Sequence, residues 1–477
     1  MGILNKLRLK NKGIQKILNN KVVKAGSWYT FTEFFTKGIA FLTIPIFTRL
    51  LSPADYGVTS LYASWLSILT VIISLDLMGS IGRGKFDFKE DYDGFASSVA
   101  FLSFLIFLIF TIILVIFRNT FSDFMGLDLS LFYILIFHSF FGFILNFTNA
   151  KFRFEYKYKI VSLVTILTSL VGVALSIYFI LNIFETNRPL GKISGQFLPI
   201  SIIGSFYFIF LLSKGKKFIN LKYWKYALLL SIPLIPHNLS GIINAQFDRI
   251  IIDRFLGSAP TGIYSFAYNV GMIVTVLLGA ANTAWVPWFF EKMENNEYLK
   301  IKKRGNLYRD LFTVAYGAIL MFSPELIKIM AEESYWEGLI IIPYVFGAYY
   351  FQFLYTFEVN VEFFLKKPAL ISIGTILSAA INVVLNIWLI PIFGYIAAAV
   401  TTLISYIFLF IFHYLMTNKI IKKTVYGIRF HLISILYVTI ITLYFMLFQG
   451  MILPRLIGLL GILGYFYFSS FRKYLKD

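Results

Sequence analysis

The chain has 477 residues, 58% of them hydrophobic and only 14% charged, with a mean hydropathy of +0.76; soluble domains carry about 25% charged residues, so a single water-soluble globule is excluded. At roughly 20 residues per membrane-spanning helix, the apolar content sets a ceiling of about fourteen spans. The formal charge of +19 would raise the question of nucleic acid in a soluble chain, but in a polytopic membrane protein it asks first which connections hold it.

Cysteine is absent, which removes disulfides, thiolate metal sites and a Cys nucleophile. His138, His237, His413 and His431 lack metal-ligand spacing, and no GxxxxGK phosphate loop occurs, so neither a cofactor nor an intrinsic ATPase is expected.

In chain order, residues 1–26 lack the apolar core and cleavage site of a signal peptide. Lys6, Arg8, Lys10, Lys12, Lys16, Lys21 and Lys24 alternate with Ile3, Leu4, Leu7, Ile14, Ile17, Leu18 and Val22. That spacing predicts a basic amphipathic segment lying on an anionic cytoplasmic leaflet. Apolar stretches follow at about 28–51, 57–82, 95–117, 130–150, 159–183, 193–213, 226–252, 261–288, 309–331, 338–364, 368–390, 392–416, 431–449 and 452–471. If the N-terminus is cytoplasmic, the tail, the even-numbered loops and the C-terminus hold about 34 of the 43 Lys and Arg residues, Arg309 among them. The outer side keeps about eight: Arg49, Arg118, Arg188, Lys192, Arg249, Arg254, Lys328 and Arg455. An odd number of missed spans would scramble this alternation. The expectation is an all-α integral membrane protein with about fourteen spans and both termini cytoplasmic.

A shift of 205 residues lays TRLLSPADYGVTS (Thr48 to Ser60) on DRFLGSAPTGIYS (Asp253 to Ser265), matching Arg49 to Arg254, Leu51 to Leu256, Ala54 to Ala259, Gly57 to Gly262 and Ser60 to Ser265. The match joins the first interspan connection to the seventh, as a parallel six-plus-six duplication requires. The chain then divides into the basic segment 1–26, a first lobe 27–213, a linker 214–225, a second lobe 226–416, a loop 417–430, two added spans in 431–471 and a tail 472–477. In each repeat a helix runs out to an arginine, and a short turn with Pro53 or Pro260 and a glycine leads into the next helix. A headgroup anchor and a phosphate-binding role both fit these arginines.

TRLLSPADYG, QFDRIIIDRFLGSAPTGIYSFAY and AWVPWFFEKM resemble segments of polysaccharide flippases of the O-antigen and capsule type, in the multidrug/oligosaccharidyl-lipid/polysaccharide exporter superfamily. The resemblance implies two pseudo-symmetric six-helix lobes around a central cavity, plus two C-terminal helices, in the bacterial cytoplasmic (inner) membrane. It also implies transfer of undecaprenyl-diphosphate-linked oligosaccharides to the outer leaflet by alternating access. Membrane lipids, a polysaccharide polymerase and glycosyltransferases would be its partners, nucleic acid would not, and the chain would act as a monomer.

Ionisable groups inside spans are costly and usually face a cavity or a partner. Glu33 and Lys37 lie four apart on one helix face. The seventh span carries His237, Asn238, Asn244, Gln246, Asp248 and Arg249 with Pro233 and Pro236, which predicts a cavity-lining helix. Asp76 precedes Arg83 by about two turns, and Glu358 and Glu362 stand one turn apart with no lysine before Lys366. These carboxylates are the candidates for proton or sodium coupling; local caps and salt bridges are the alternative. Arg49, Arg254 and Arg249 are the candidate diphosphate ligands, arginine being suited to phosphate geometry.

Two rival readings stay open. A multidrug cation exporter of the same superfamily would use the buried acids. An integral-membrane glycosyltransferase or polymerase would use the DYD motif of Asp91 to Asp93 for a metal, although no outer loop is long enough for a catalytic domain. The sequon matches at Asn146 and Asn238 fall inside predicted helices, and a channel lacks its filter motif.

Overall fold

The computed structural model describes residues 21–471 apart from residue 423. Most of the expected basic segment 1–26 and the whole tail 472–477 lie outside the described residues, and Lys21 to Gly26 form the first turns of a helix. Among the described residues there is no strand.

Thirteen helices are long and apolar enough to cross a membrane among the described residues. A further helix, α1 (Lys21–Leu50), is 30 residues long, about 45 Å at 1.5 Å per residue. Its own Glu33, Lys37 and Arg49 keep it out of the apolar set. The others are α2 (Pro53–Asp87), α3 (Lys89–Ile116), α4 (Leu129–Phe154), α5 (Tyr158–Asn182), α6 (Arg188–Gly215), α7 (Leu221–Leu256), α8 (Ser258–Glu294), α9 (Tyr298–Met330), α10 (Glu333–Phe364), α11 (Pro368–Phe393), α12 (Tyr395–Ile420), α13 (Ile428–Phe448) and α14 (Ile452–Ser469). Their surfaces invert the soluble pattern. On α6, Ile202, Phe206 and Ile209 are 61–65% exposed at helical spacing, a face suited to lipid, while Ser176 of α5 bonds inward to the Lys192 carbonyl of α6 at 2.8 Å.

The chain forms two compact units. One holds the chain up to Leu51 with Tyr62–Leu239; the other holds Ser52–Leu61 and the chain from Ser240 onward. The division therefore falls inside α7 and not in the expected linker 214–225. The physical reason is local. The first part of α7, Leu221–Ser231, is tied to the first unit: the Trp224 indole donates to the Ser98 carbonyl at 3.0 Å and the Tyr226 hydroxyl to Asp87 at 2.5 Å. A single 3-10 turn at Ile232–Leu234, containing Pro233, then breaks the helix.

In the first unit α6 packs against α3, α4 and α5, and α1 packs on α5. Lys151 of α4 is nearly fully buried and meets Asp93 of α3 at 2.6 Å, with Glu155 as its second carboxylate. Asp93 also pairs with Lys214 at 3.0 Å, and Asp91 with Lys217 and Tyr223. The two acids of the DYD motif are thus committed to ammonium groups, contrary to the metal-binding alternative. Glu155 lies just beyond the end of α4. Burial raises its carboxyl, but Lys151 and Lys157 outweigh this and hold it below its ordinary value of 4.5. A depressed folded-state value stabilises the protein above the ordinary range, and that contribution is lost as the pH falls through the folded value. Glu155→Gln is expected to lower thermal stability at neutral pH by about 1–3 kcal/mol and to flatten the decline below about pH 4.5, as read from melting in detergent.

In the second unit the largely buried α10 packs against α12, with α8, α9 and α11 around it. The added helices α13 and α14 join this unit through α9. Arg455 of α14 forms a two-pronged bond to Glu325 of α9, at 2.6 and 2.5 Å, and the Tyr316 and Thr442 hydroxyls meet at 2.6 Å. Arg309, expected in a cytoplasmic loop, instead lies buried inside α9. It pairs with Asp310 at 2.7 Å and lies over the Phe430 and Tyr437 rings at 5.1 and 5.4 Å. With 33 residues, about 50 Å, α9 overshoots a hydrocarbon core of about 30 Å, so it takes in residues expected to form a loop.

Candidate functional site

The two copies of the sequence repeat meet each other. At the start of α2, Pro53 occupies a position suited to its fixed φ, and Ser52 and Asp55 bond reciprocally at 3.1 and 3.2 Å as a capping box. At the start of α8, Gly257 takes φ +87°, and the Ser258 hydroxyl bonds Asp253 at 2.8 Å. These first turns cross backbone to backbone. A Cβ built on Gly57 would stand 1.8 Å from the Ser258 carbonyl oxygen, and one on Gly262 would stand 1.8 Å from that of Pro53. Under the 205 shift Pro53 corresponds to Ser258 and Gly57 to Gly262, so the contact is symmetric under the repeat. Asn269 adds a bond to the Tyr56 hydroxyl at 3.1 Å.

Arg49 and Arg254 sit in the last turns of α1 and α7, both exposed. Arg49 donates to the Pro45 carbonyl at 2.8 Å. Beside it in the first unit, Arg188 of α6 donates to the Leu50 carbonyl at 3.0 Å, and the Lys192 ammonium lies over the Phe47 ring at 4.8 Å. The structure thus gathers three cations at the end of α1; the sequence reading placed Arg188 and Lys192 on the outer side but gave them no ligand role. Arg249, the third candidate diphosphate ligand, is buried. It is 5% exposed, donates to the Ala245 carbonyl at 2.7 Å, and lies 4.7 Å over the Tyr268 ring.

The polar residues of α7 separate into two groups. His237 and Gln246 are half-buried. Asn238 donates to Asp76 at 2.5 Å, within the first unit. Asp76 lies in a break of α2 where Leu75 and Asp76 both have left-handed backbones, φ 45° and 52°. Arg83, its expected neighbour, pairs with Asp87 at 3.2 Å instead. Asn244 and Asp248 turn into the second unit, where Asn244 reaches Ser378 at 3.5 Å. Asp248 is fully buried and accepts from Asn386 at 2.6 Å, Tyr264 at 2.5 Å and Thr402 at 2.9 Å, linking α7, α8, α11 and α12. With both oxygens committed, Asp248 is a structural junction and not an open cation ligand.

Glu33 and Lys37 form the expected intrahelical pair at 2.7 Å, well exposed. Glu358 and Glu362 are not a lone carboxylate pair. His431 bonds Glu358 at 2.8 Å and His413 bonds Glu362 at 2.9 Å, all four side chains buried. The histidines, set aside for want of metal-ligand spacing, are the partners that the sequence reading missed. Among the described residues no group of three or more His, Asp or Glu side chains is placed to hold a metal ion.

Comparison with known proteins decides the family. The sequence profile described as "Polysaccharide biosynthesis protein" matches residues 22–293, more than half of the chain. The chain belongs to this polysaccharide biosynthesis protein family. This family member is 26% identical over 389 residues to "Lsg locus putative protein 1" of Haemophilus influenzae, covering 76% of the present chain and 90% of that one. It is 24% identical over 176 residues to "Probable low-salt glycan biosynthesis flippase Agl15" of Haloferax volcanii, covering 36% and 37% of the two chains. Its fold is similar to the lipid II flippase MurJ in an inward closed conformation, with TM-score 0.70, 16% identity and coverage of 94% and 99%. It is also similar to an inward-facing multidrug resistance MATE transporter, with TM-score 0.63, 15% identity and coverage of 81% and 96%. The chain therefore shares the all-helical fold of these two transporters.

Proposed function

We propose that the protein moves lipid-diphosphate-linked oligosaccharide units, of the undecaprenyl class used for O-antigen or capsule, from the inner to the outer leaflet of the bacterial cytoplasmic membrane by alternating access. The observation that carries this reading is the repeat itself. Arg49 and Arg254 are equivalent under the 205 shift, and each is exposed in the last turn of its own helix, α1 or α7. Guanidinium groups suit a diphosphate, whose oxygens accept charge-assisted hydrogen bonds. Arg249, being buried, stiffens α7 beneath Arg254 in this reading and does not itself ligate the substrate. The basic even-numbered connections support cytoplasmic termini. With the interior negative, outward movement of about two negative charges across the whole field would be favourable by up to about 4–5 kcal/mol per 100 mV, which would assist transport without ATP. A polymerase and glycosyltransferases would act after and before this step, and the transporter itself would work as a monomer.

Arg49→Ala and Arg254→Ala are each expected to reduce export of surface glycan, and the double variant is expected to abolish it, at wild-type protein level in the membrane. Lys replacements would recover part of the activity if charge alone suffices and little if bidentate geometry is needed. Unchanged export in the double Ala variant would refute the assignment.

A further inference from the structure

Two carboxylate–imidazole pairs lie one helical turn apart on α10, and the diphosphate reading uses neither. His413 Nδ1 of α12 stands 2.9 Å from both oxygens of Glu362. His431 Nε2 of α13 stands 2.8 Å from one oxygen of Glu358, and Asn418 of α12 donates to the other at 3.4 Å. All four side chains are at most 2% exposed. Each imidazole spends one nitrogen on its carboxylate. The other nitrogen, Nε2 of His413 and Nδ1 of His431, is buried with no hydrogen-bond partner. A Cβ on Gly374 of α11 would stand 2.5 Å from His413 Nε2, so that nitrogen occupies a notch opened by a missing side chain. Beside the pairs, α12 loosens into a π turn at Met416–Ile420, a form frequent at functional sites.

The proton count follows from the groups. A neutral imidazole donating its one N–H to an ionised carboxylate leaves the pair with one negative charge. Uptake of a single proton makes the pair neutral, whether as imidazolium and carboxylate or as imidazole and carboxylic acid. Two unloaded pairs at i and i+4 place like charges on one helix face. Few other titratable groups face them. Tyr355 of α10 lies edge-on to His413 at 4.9 Å, and Tyr414 of α12 to His431 at 5.2 Å. Tyr426, before α13, packs on Phe357 and Phe430. From α9 the nearest charge is Arg309, already paired with Asp310 and lying over Phe430. α8 contributes Trp285, against Phe357, and α11 contributes Gly374.

We propose that Glu358–His431 and Glu362–His413 form a proton-binding site, whose occupancy sets how firmly α12 and α13 are tied to α10. That its loading is coupled to substrate movement rests on the transport reading above; the binding of protons does not. The test uses the full-length protein in detergent, unbuffered, with proton uptake measured on a step from about pH 8 to about pH 5. Glu358→Gln and Glu362→Gln are each expected to lose the uptake of one pair, and the double variant that of both. If the double variant folds poorly, the single variants and His431→Asn read the same loss pair by pair. Uptake equal to wild type in these variants overturns the proposal. A parallel arm measures surface-glycan export with and without a protonophore. Sensitivity in the wild type that disappears in the Gln variants is the expected result. Lost uptake in the variants, together with no export by the wild type, would overturn the transport reading while leaving the proton site standing.

Discussion

Gly57→Ala and Gly262→Ala are each expected to destabilise the protein, although helix propensity alone would favour alanine by about 1 kcal/mol. Sterics decide the sign. The added methyl would stand 1.8 Å from a backbone carbonyl oxygen in either case, and a carbonyl within a helix cannot swing aside as a side-chain end can. Overpacking ordinarily costs about 1–3 kcal/mol, and a clash with backbone belongs at or above the upper end of that range. Because both glycines serve a single crossing, the double variant should cost much less than the sum of the two single ones. Gly279→Ala, at a position with nothing within 4 Å, provides the control and should be neutral or stabilising. Melting temperatures of the purified variants in detergent check the sign and the non-additivity; a fully additive double variant would mean that the two positions act separately.

Asp248→Ala is expected to have the second large effect. It would strand the donors of Asn386, Tyr264 and Thr402 in a buried junction of four helices. A buried donor left unsatisfied costs about 1–3 kcal/mol, although the three losses will not add fully because the groups can turn toward one another. Asn386 already bonds Asn382 at 3.0 Å and offers one such alternative. Asp248→Asn keeps one acceptor oxygen, and the hydroxyls of Tyr264 and Thr402 can rotate to accept from its amide. The Asn variant should therefore lie between wild type and Ala in stability. If Asp248 were instead an open ion site, the Asn variant would be as stable as wild type and would lose activity alone.

The spans were legible because the bilayer sets a strong length rule that apolar content satisfies directly. The repeat was readable from TRLLSPADYG and its copy, and the structure brings the turns at Gly57 and Gly262 into contact. Glu33 and Lys37 were readable as a pair because helical spacing puts them on one face. Long-range pairs carry no such local mark. Glu358 and His431 are 73 positions apart, and Asp248 and Asn386 are 138 apart, so only the packing of α10, α12 and α13, or of α7 and α11, brings them together. Arg309 misled for a related reason: a long helix holding a buried ion pair has the same composition as a basic loop next to a shorter span. The break in α2 at Leu75 and Asp76 has neither proline nor glycine at those two positions, so no turn residue announced it.

The most direct test of the transport account is the leaflet distribution of lipid-linked oligosaccharide in cells depleted of this protein. The account predicts that the diphosphate-linked unit accumulates on the inner leaflet while surface glycan is lost, and that re-expression of the wild-type chain reverses both. Unchanged surface glycan, with no inner-leaflet accumulation after depletion, would contradict it.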